Sequence, residues 1–235
     1  GAAAAPRTDY NGREDYNPMN RRFLLVRRPQ GAPVPEDFRL ASEAIPTAPS
    51  GGLVIRNHYA SLDPAQRGWM DDSPSYMPPI PLGDPVRATT IGVVHQSENP
   101  DFKSGDWVMG LNGLEDYSIV TPGGFTTKLD VSLVDPPYRY LSAMGAVGLT
   151  AYFGLLEVGQ PKAGEAVLVS GAAGAVGSVV GQLAKIKGCR AIGIAGGADK
   201  CARLVRDYGF DVAIDYKGKS VDQLAADIHA AAPQG

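Results

Sequence analysis

The sequence predicts a chain in two parts, a β-rich region followed by an α/β region built on a parallel sheet. Three observations carry this. Short β-type runs cut by glycine and proline fill Arg22 to Pro137, strands alternate with helices from about Tyr140, and one of those strands runs through spaced glycines straight into a helix. With 235 residues, folding buries roughly 70–75% of the unfolded surface, enough for two cores.

The clearest strands of the first part are Phe23–Val26, Gly52–Tyr59, Thr89–Val94, Asp106–Gly110 and Asp116–Val120. Their punctuation is dense: Pro-Ser-Gly-Gly at 49–52, Met-Pro-Pro-Ile-Pro at 77–81, Pro-Gly-Gly at 122–124. Regular short strands with such turns argue a partly open β-barrel. In the second part Ala166–Ser170 is a strand, and Gly174–Lys187 a helix with Val176, Val179, Val180, Leu183 and Ile186 on one face. Then come a strand Arg190–Ala195, a helix Lys200–Tyr208, a strand Val212–Tyr216 and a helix Val221–Ala232. That alternation means βαβ units. Residues 1–20, Ala-rich and then polar, read as a mobile leader. The domains are therefore 21–139 and 140–235, and no internal repeat is visible.

Charge and composition exclude several classes of function. Lys and Arg number 22 against 25 Asp and Glu, a net charge of −3. Nucleic acid and anionic membranes both select clustered positive charge, so neither is an expected partner. The uncharged runs at 140–156 and 166–184 are broken by glycines and hydroxyl side chains, and read as a half-buried helix and as a buried strand turning into a helix. No secretory signal opens the chain. Two cysteines, Cys189 and Cys201, make no disulfide framework, so a reduced, cytoplasmic protein is expected. With only His58, His95 and His229 beside them and no C-x-x-C, three convergent ligands for a catalytic zinc are not expected.

The densest chemistry is Val167-Leu-Val-Ser-Gly-Ala-Ala-Gly-Ala-Val-Gly177. Absent side chains let backbone approach a pyrophosphate, and the helix N-terminus supplies free amides and a favourable dipole. Gly174, Ala175, Val176 and Gly177 are the candidate contacts. Ala172 stands where the dinucleotide fingerprint has its first glycine, and small residues packing helix on strand would read similarly. The next strand, Ala191-Ile-Gly-Ile-Ala195, ends in Gly196-Gly197 with no acid until Asp199. An NAD site places Asp or Glu there for the ribose 2′-hydroxyl. A glycine opening followed by Lys200 suits a 2′-phosphate instead, although a lysine at a helix start is also simply solvated. Tyr216, beside Lys217, could flank the same phosphate or the adenine. The expected cofactor is NADP(H).

Ser170-Gly-Ala-Ala-Gly-Ala-Val-Gly-Ser-Val-Val-Gly-Gln-Leu-Ala-Lys-Ile-Lys-Gly-Cys189 and Gly193-Ile-Ala-Gly-Gly-Ala-Asp-Lys-Cys201 resemble the zinc-independent medium-chain dehydrogenase/reductases. The branch they resemble holds prostaglandin reductases, plant alkenal double-bond reductases and bacterial curcumin reductases. Asn57-His-Tyr-Ala-Ser-Leu-Asp-Pro-Ala-Gln-Arg-Gly68, Phe102-Lys-Ser-Gly-Asp-Trp-Val108 and Gly148-Leu-Thr-Ala-Tyr152 extend the resemblance from about Arg22 to the last residue. It implies a GroES-like β domain followed by a Rossmann domain, with the active site between them. It also implies that Gly174, Val176 and Gly177 carry the pyrophosphate, Lys200 and Tyr216 the 2′-phosphate end, and that Met144 and Thr150 lie near the nicotinamide. Tyr59 would line the substrate pocket, with Tyr76 and Trp69 as further candidates. Read as residues alone, Tyr59 is equally a half-buried strand tyrosine, and Met144 a core methionine.

The implied activity is NADPH-dependent reduction of the double bond of α,β-unsaturated ketones or aldehydes, with hydride delivered to the β-carbon. A zinc-free quinone reductase is the enzymatic alternative, and Ser-Leu-Asp-Pro at 61–64 favours the double-bond reductases. A doubly wound sheet still owes strands four to six after residue 232, so the chain is expected to hold the first half of its Rossmann domain. The family's catalytic tyrosine is then expected beyond Gly235, and one edge of the first parallel strand would need covering. A cofactor-binding module without turnover is the non-enzymatic alternative. The implied partners are a small enone or enal and a second copy of the chain.

Overall fold

The computed structural model describes residues 19–121, 123 and 125–234. Residues 1–18 of the expected leader, and residues 122 and 124 of the expected Pro-Gly-Gly turn, lie outside that set. The chain divides into two compact units, one through Leu141 and one from Ser142.

In the first unit β1 (Met19–Leu25) pairs antiparallel with β2 (Phe38–Ala44), Met19 opposite Ala44 and Leu25 opposite Phe38. Met19 and Asn20 are thus strand rather than leader. The reason is visible at Asn20, 4% exposed, whose amide donates to the Tyr117 carbonyl at 2.8 Å and accepts the Tyr117 N–H at 2.9 Å. A buried amide so paired anchors the strand. The other strands are β3 (Leu53–Ala60), β4 (Arg87–Ser97), β5 (Trp107–Gly113), β6 (Tyr117–Val120) and β7 (Thr127–Lys128). They form an antiparallel sheet in the order β6-β3-β4-β5-β7. Bridges Arg22 to Glu115 and Leu24 to Pro85 join the β1–β2 hairpin to these strands, giving the β-rich architecture expected.

The interior strand β3 buries Leu53, Val54 and Ile55 completely, as a strand covered on both faces must. Leu53 and Ile55 meet Val94 and Val108 in one core cluster. A second cluster packs Leu25, Trp69, Met70, Ile80 and Val86 under the short helix α1 (Ala65–Trp69).

A 3₁₀ turn at Pro35–Asp37 precedes β2. Asp37 is 1% exposed; its carboxylate accepts the Val34 N–H at 2.9 Å and Arg27 Nε at 2.7 Å. Those bonds, the Val34 amide foremost and then Arg27, hold its pKa below the ordinary carboxylate value. The unfolded chain therefore binds the proton more tightly than the folded one, so this carboxylate stabilises the fold at pH values above about 4 and progressively less below. Asp37→Asn should lower the denaturation midpoint at neutral pH and leave a shallower acid limb. Urea unfolding between pH 7 and pH 2.5 (~, spanning the carboxylate range) reads both.

A 3₁₀ turn at Pro137–Leu141 closes the first unit, and the second opens with α2 (Ala146–Tyr152), continued as a π-helical segment Phe153–Gly159. After it come β8 (Ala166–Val169), α3 (Ala175–Ile186), β9 (Arg190–Ala195), α4 (Ala198–Tyr208), β10 (Val212–Asp215) and α5 (Val221–Ala231). The sheet is parallel, in the order β10-β9-β8. From β8 onward each element lies within about two residues of its sequence expectation, whereas the helix expected in the run 140–156 begins only at Ala146. The inner face of α3 also departs from expectation. Ile186 is 79% exposed, and the buried residues are Gly177, Gly181 and Ala184. Close approach to the sheet selects small side chains there, and the larger apolar ones lie at its flanks.

Candidate functional site

The end of β8 and the start of α3 build the first half of the site. Gly171, at φ +57°, turns the chain in a conformation that favours glycine. Ala172 is fully buried, its N–H bonded to the Ile194 carbonyl at 3.0 Å, which ties the loop to β9. Gly174 caps α3 without a side chain, bonding Gly171 O at 2.9 Å. The first-turn amides at Ala175, Val176 and Gly177 therefore have no side-chain acceptor at the cap, the condition in which a helix start holds an anion. A Cβ on Gly177 would lie 2.5 Å from Gly171 O and 2.8 Å from Ala172 Cα. The helix is pressed so close to the loop that only hydrogen fits.

The end of β9 builds the second half. A Cβ on Gly196 would lie 2.9 Å from the Tyr216 hydroxyl oxygen and 3.0 Å from its ring, so the phenol closes over the glycine. Gly197 takes φ +101°, ψ 151°, a conformation essentially reserved for glycine. Its N–H donates to Asp215 Oδ1 at 2.8 Å, and the same oxygen accepts the Lys217 N–H at 3.0 Å. These two amides lead the causes that hold the Asp215 carboxyl below the ordinary range, with Lys217 and Lys219 adding to them. Burial pushes the neighbouring Cys201 thiol up, and the Asp215 charge pushes it further. Lys200 is exposed in the first turn of α4.

The structure thus brings Gly174, Ala175, Val176 and Gly177 together at one helix start, and Gly196, Lys200 and Tyr216 at the next strand end. Asp215 escapes a reading that counts along the chain for an acid after Ala195. It arrives from β10, where it pairs with Ala195 across the parallel register. Met144 is 57% exposed, which corrects the reading of it as a core methionine: it precedes α2, where the chain has not yet packed. Thr150 is exposed on α2 with its hydroxyl donating to Ala146 O at 2.7 Å, and α2 packs against α3.

In the first unit Tyr59 meets the Tyr138 ring edge-on at 5.7 Å and lines a cavity of about 300 Å³ with Phe23, Leu40, Asn57 and Thr90. Below it Asn57 bonds Ser118 Oγ and Glu115 O, both at 2.9 Å, and Thr90 Oγ1 donates to Asn57 Oδ1 at 2.6 Å. This network keeps the polar floor satisfied. Tyr76 and Trp69 do not join that cavity. Trp69 is 8% exposed, in the core, and Tyr76, 77% exposed, packs edge-on against it. Among the described residues no three His, Cys, Asp or Glu side chains converge as metal ligands, and no helix is long and apolar enough to cross a membrane.

The glycine cradle fits a dinucleotide: it leaves room where a Cβ would intrude, offers amides to the pyrophosphate, and presents no strand-end acid on β9 to the adenosine ribose. Comparison with known proteins agrees in kind. A family described as the N-terminal domain of oxidoreductase matches residues 21–128. The chain is 45% identical over 216 residues to the NADPH-dependent curcumin reductase of Escherichia coli, covering 92% of this chain and 61% of that one. It is 38% identical over 202 residues to the NADP(+)-dependent 2-alkenal reductase of Nicotiana tabacum, covering 84% and 59%. A crystal structure of CurA from Vibrio vulnificus in complex with NADPH superposes with a TM-score of 0.80 at 41% identity, covering 89% of this chain and 61% of that one. The chain therefore spans about three fifths of the length of the curated relatives it matches.

Proposed function

Since the chain belongs to the zinc-independent medium-chain dehydrogenase/reductases, in the branch of the curcumin, alkenal and prostaglandin reductases, we propose that its protein is an NADPH-dependent reductase of the double bond of α,β-unsaturated ketones and aldehydes. In this reading residues 21–139 are the GroES-like domain and 140–235 the first half of the Rossmann domain. The observation that carries the cofactor is the end of β9. Where an NAD site needs a carboxylate, the chain has Gly196 under the Tyr216 ring and Gly197 bonded to Asp215, with Lys200 in the next turn.

The bound dinucleotide supplies the hydride. The chain's own residues hold and orient it: the amides of Ala175, Val176 and Gly177 take the pyrophosphate, Lys200 and Tyr216 the 2′-phosphate end, and Met144 and Thr150 lie toward the nicotinamide. Tyr59, fixed by Tyr138, offers an apolar wall to the flat conjugated substrate. A hydrogen-bond donor at the substrate carbonyl would stabilise the charge that develops there.

The test uses the intact protein with NADPH and an α,β-unsaturated ketone. We expect NADPH absorbance to fall as the double bond is consumed, and no reaction with the saturated ketone. Binding of NADPH without oxidation by any enone overturns the enzymatic reading in favour of a binding module. Preferred turnover of a quinone overturns the choice of substrate class alone.

A further inference from the structure

We propose that Lys217, placed by Asp215, is a second determinant of 2′-phosphate recognition beside Lys200, an inference that rests on the NADP(H) reading above. Three lysines border the turn after β9. Lys219 is paired with Asp227, whereas Lys200 and Lys217 form no ion pair among the described residues. Lys217 Nζ lies 3.9 Å from where a Cβ on Gly197 would be, while Tyr216 covers Gly196. The ammonium, the phenol and the glycine pair therefore meet at the one place where the ribose of a dinucleotide bound at the α3 start would need a partner for its phosphate.

Asp215 holds this arrangement. One carboxylate oxygen receives both the Gly197 and the Lys217 amides, so the β9–α4 turn and the segment after β10 move as one. That oxygen is thereby spent on backbone donors. A compact ammonium on a flexible stem can reach a phosphate dianion whose own charge draws it in, and two such cations divide the load.

The test is calorimetric titration of the intact protein with 2′,5′-ADP and with 5′-AMP, which differ only by the 2′-phosphate. The unmodified protein should prefer 2′,5′-ADP. Lys217→Ala should weaken 2′,5′-ADP about five- to tenfold and leave 5′-AMP unchanged, Lys217→Arg should restore most of the loss, and Lys200→Ala should act in the same direction. Asp215→Ala should erode the preference while Asp215→Asn, which keeps an acceptor oxygen for both amides, retains it. If the unmodified protein shows no preference, the NADP(H) reading itself falls. If it does and Lys217→Ala weakens both nucleotides equally or neither, the Lys217 inference alone falls.

Discussion

Gly177→Ala should cost the protein most of its dinucleotide affinity, raising the NADPH dissociation constant by more than about tenfold. The added methyl meets Gly171 O at 2.5 Å and Ala172 Cα at 2.8 Å, both backbone atoms of the loop proposed to hold the pyrophosphate. A side chain in the way could rotate; these atoms cannot move without unwinding the turn at Gly171 or tilting the first turn of α3. Either movement displaces the amides that the anion uses, and overpacking of this kind costs about 1–3 kcal/mol of stability as well. Gly174→Ala is the internal control. Its Cβ has a single close neighbour, Gly171 O at 3.1 Å, so the fold should tolerate it with a much smaller fall in melting temperature. Calorimetry with NADPH and thermal unfolding, run on both variants, separate the two positions. Equal affinities for Gly177→Ala and the unmodified protein would mean that the cradle is not where the pyrophosphate sits.

The parts of this site that could be read from sequence are those whose signal is local. Apolar runs closed by glycine mark β8 and β9, and the helix after each follows from the spacing. Tyr216 was legible because it closes the third strand of the alternation. Asp215 was not, because its partner Gly197 is eighteen residues away and the two meet only through the parallel pairing of β10 with β9. The inner face of α3 was misjudged for a different reason. A search for helical periodicity weighs large apolar residues, and here Gly177, Gly181 and Ala184 are the ones that face the sheet. In the first unit β2 hides from a search for alternation because it is an outer hairpin strand: Leu40 is 66% exposed and Arg39, Ser42 and Glu43 surround it. The five-residue helix α1 is too short for any period to show. Its start depends on Gln66, whose side chain accepts the Asp63 N–H and donates to Arg87 O at 2.9 Å, a tertiary contact that no window of sequence contains.

The small inner face of α3 leads to the other large effect, at Gly181. Helix propensity alone says that Gly181→Ala in the middle of α3 should stabilise by about 1 kcal/mol. Packing says the reverse. The new Cβ would lie 2.0 Å from Phe210 Cζ and 2.2 Å from Cε2, and a Cβ on Gly193 would come within 2.9 Å of the same ring. Phe210, 2% exposed, thus fills a slot that exists because both α3 and β9 carry glycine there. Overpacking wins this comparison, since it costs up to about 3 kcal/mol and the ring, enclosed on both sides, has nowhere to turn. We expect a net loss of about 1–2 kcal/mol for Gly181→Ala, read as a fall of several degrees in melting temperature. Phe210→Leu alone should also destabilise, through the space it empties. In the double variant the methyl enters that space, so the losses should fall short of additivity by more than about 1 kcal/mol. Strict additivity would place the ring elsewhere. Because Gly181 lies one turn after Gly177 on the same face, the single variant should also weaken NADPH, and Phe210→Leu should return part of that affinity.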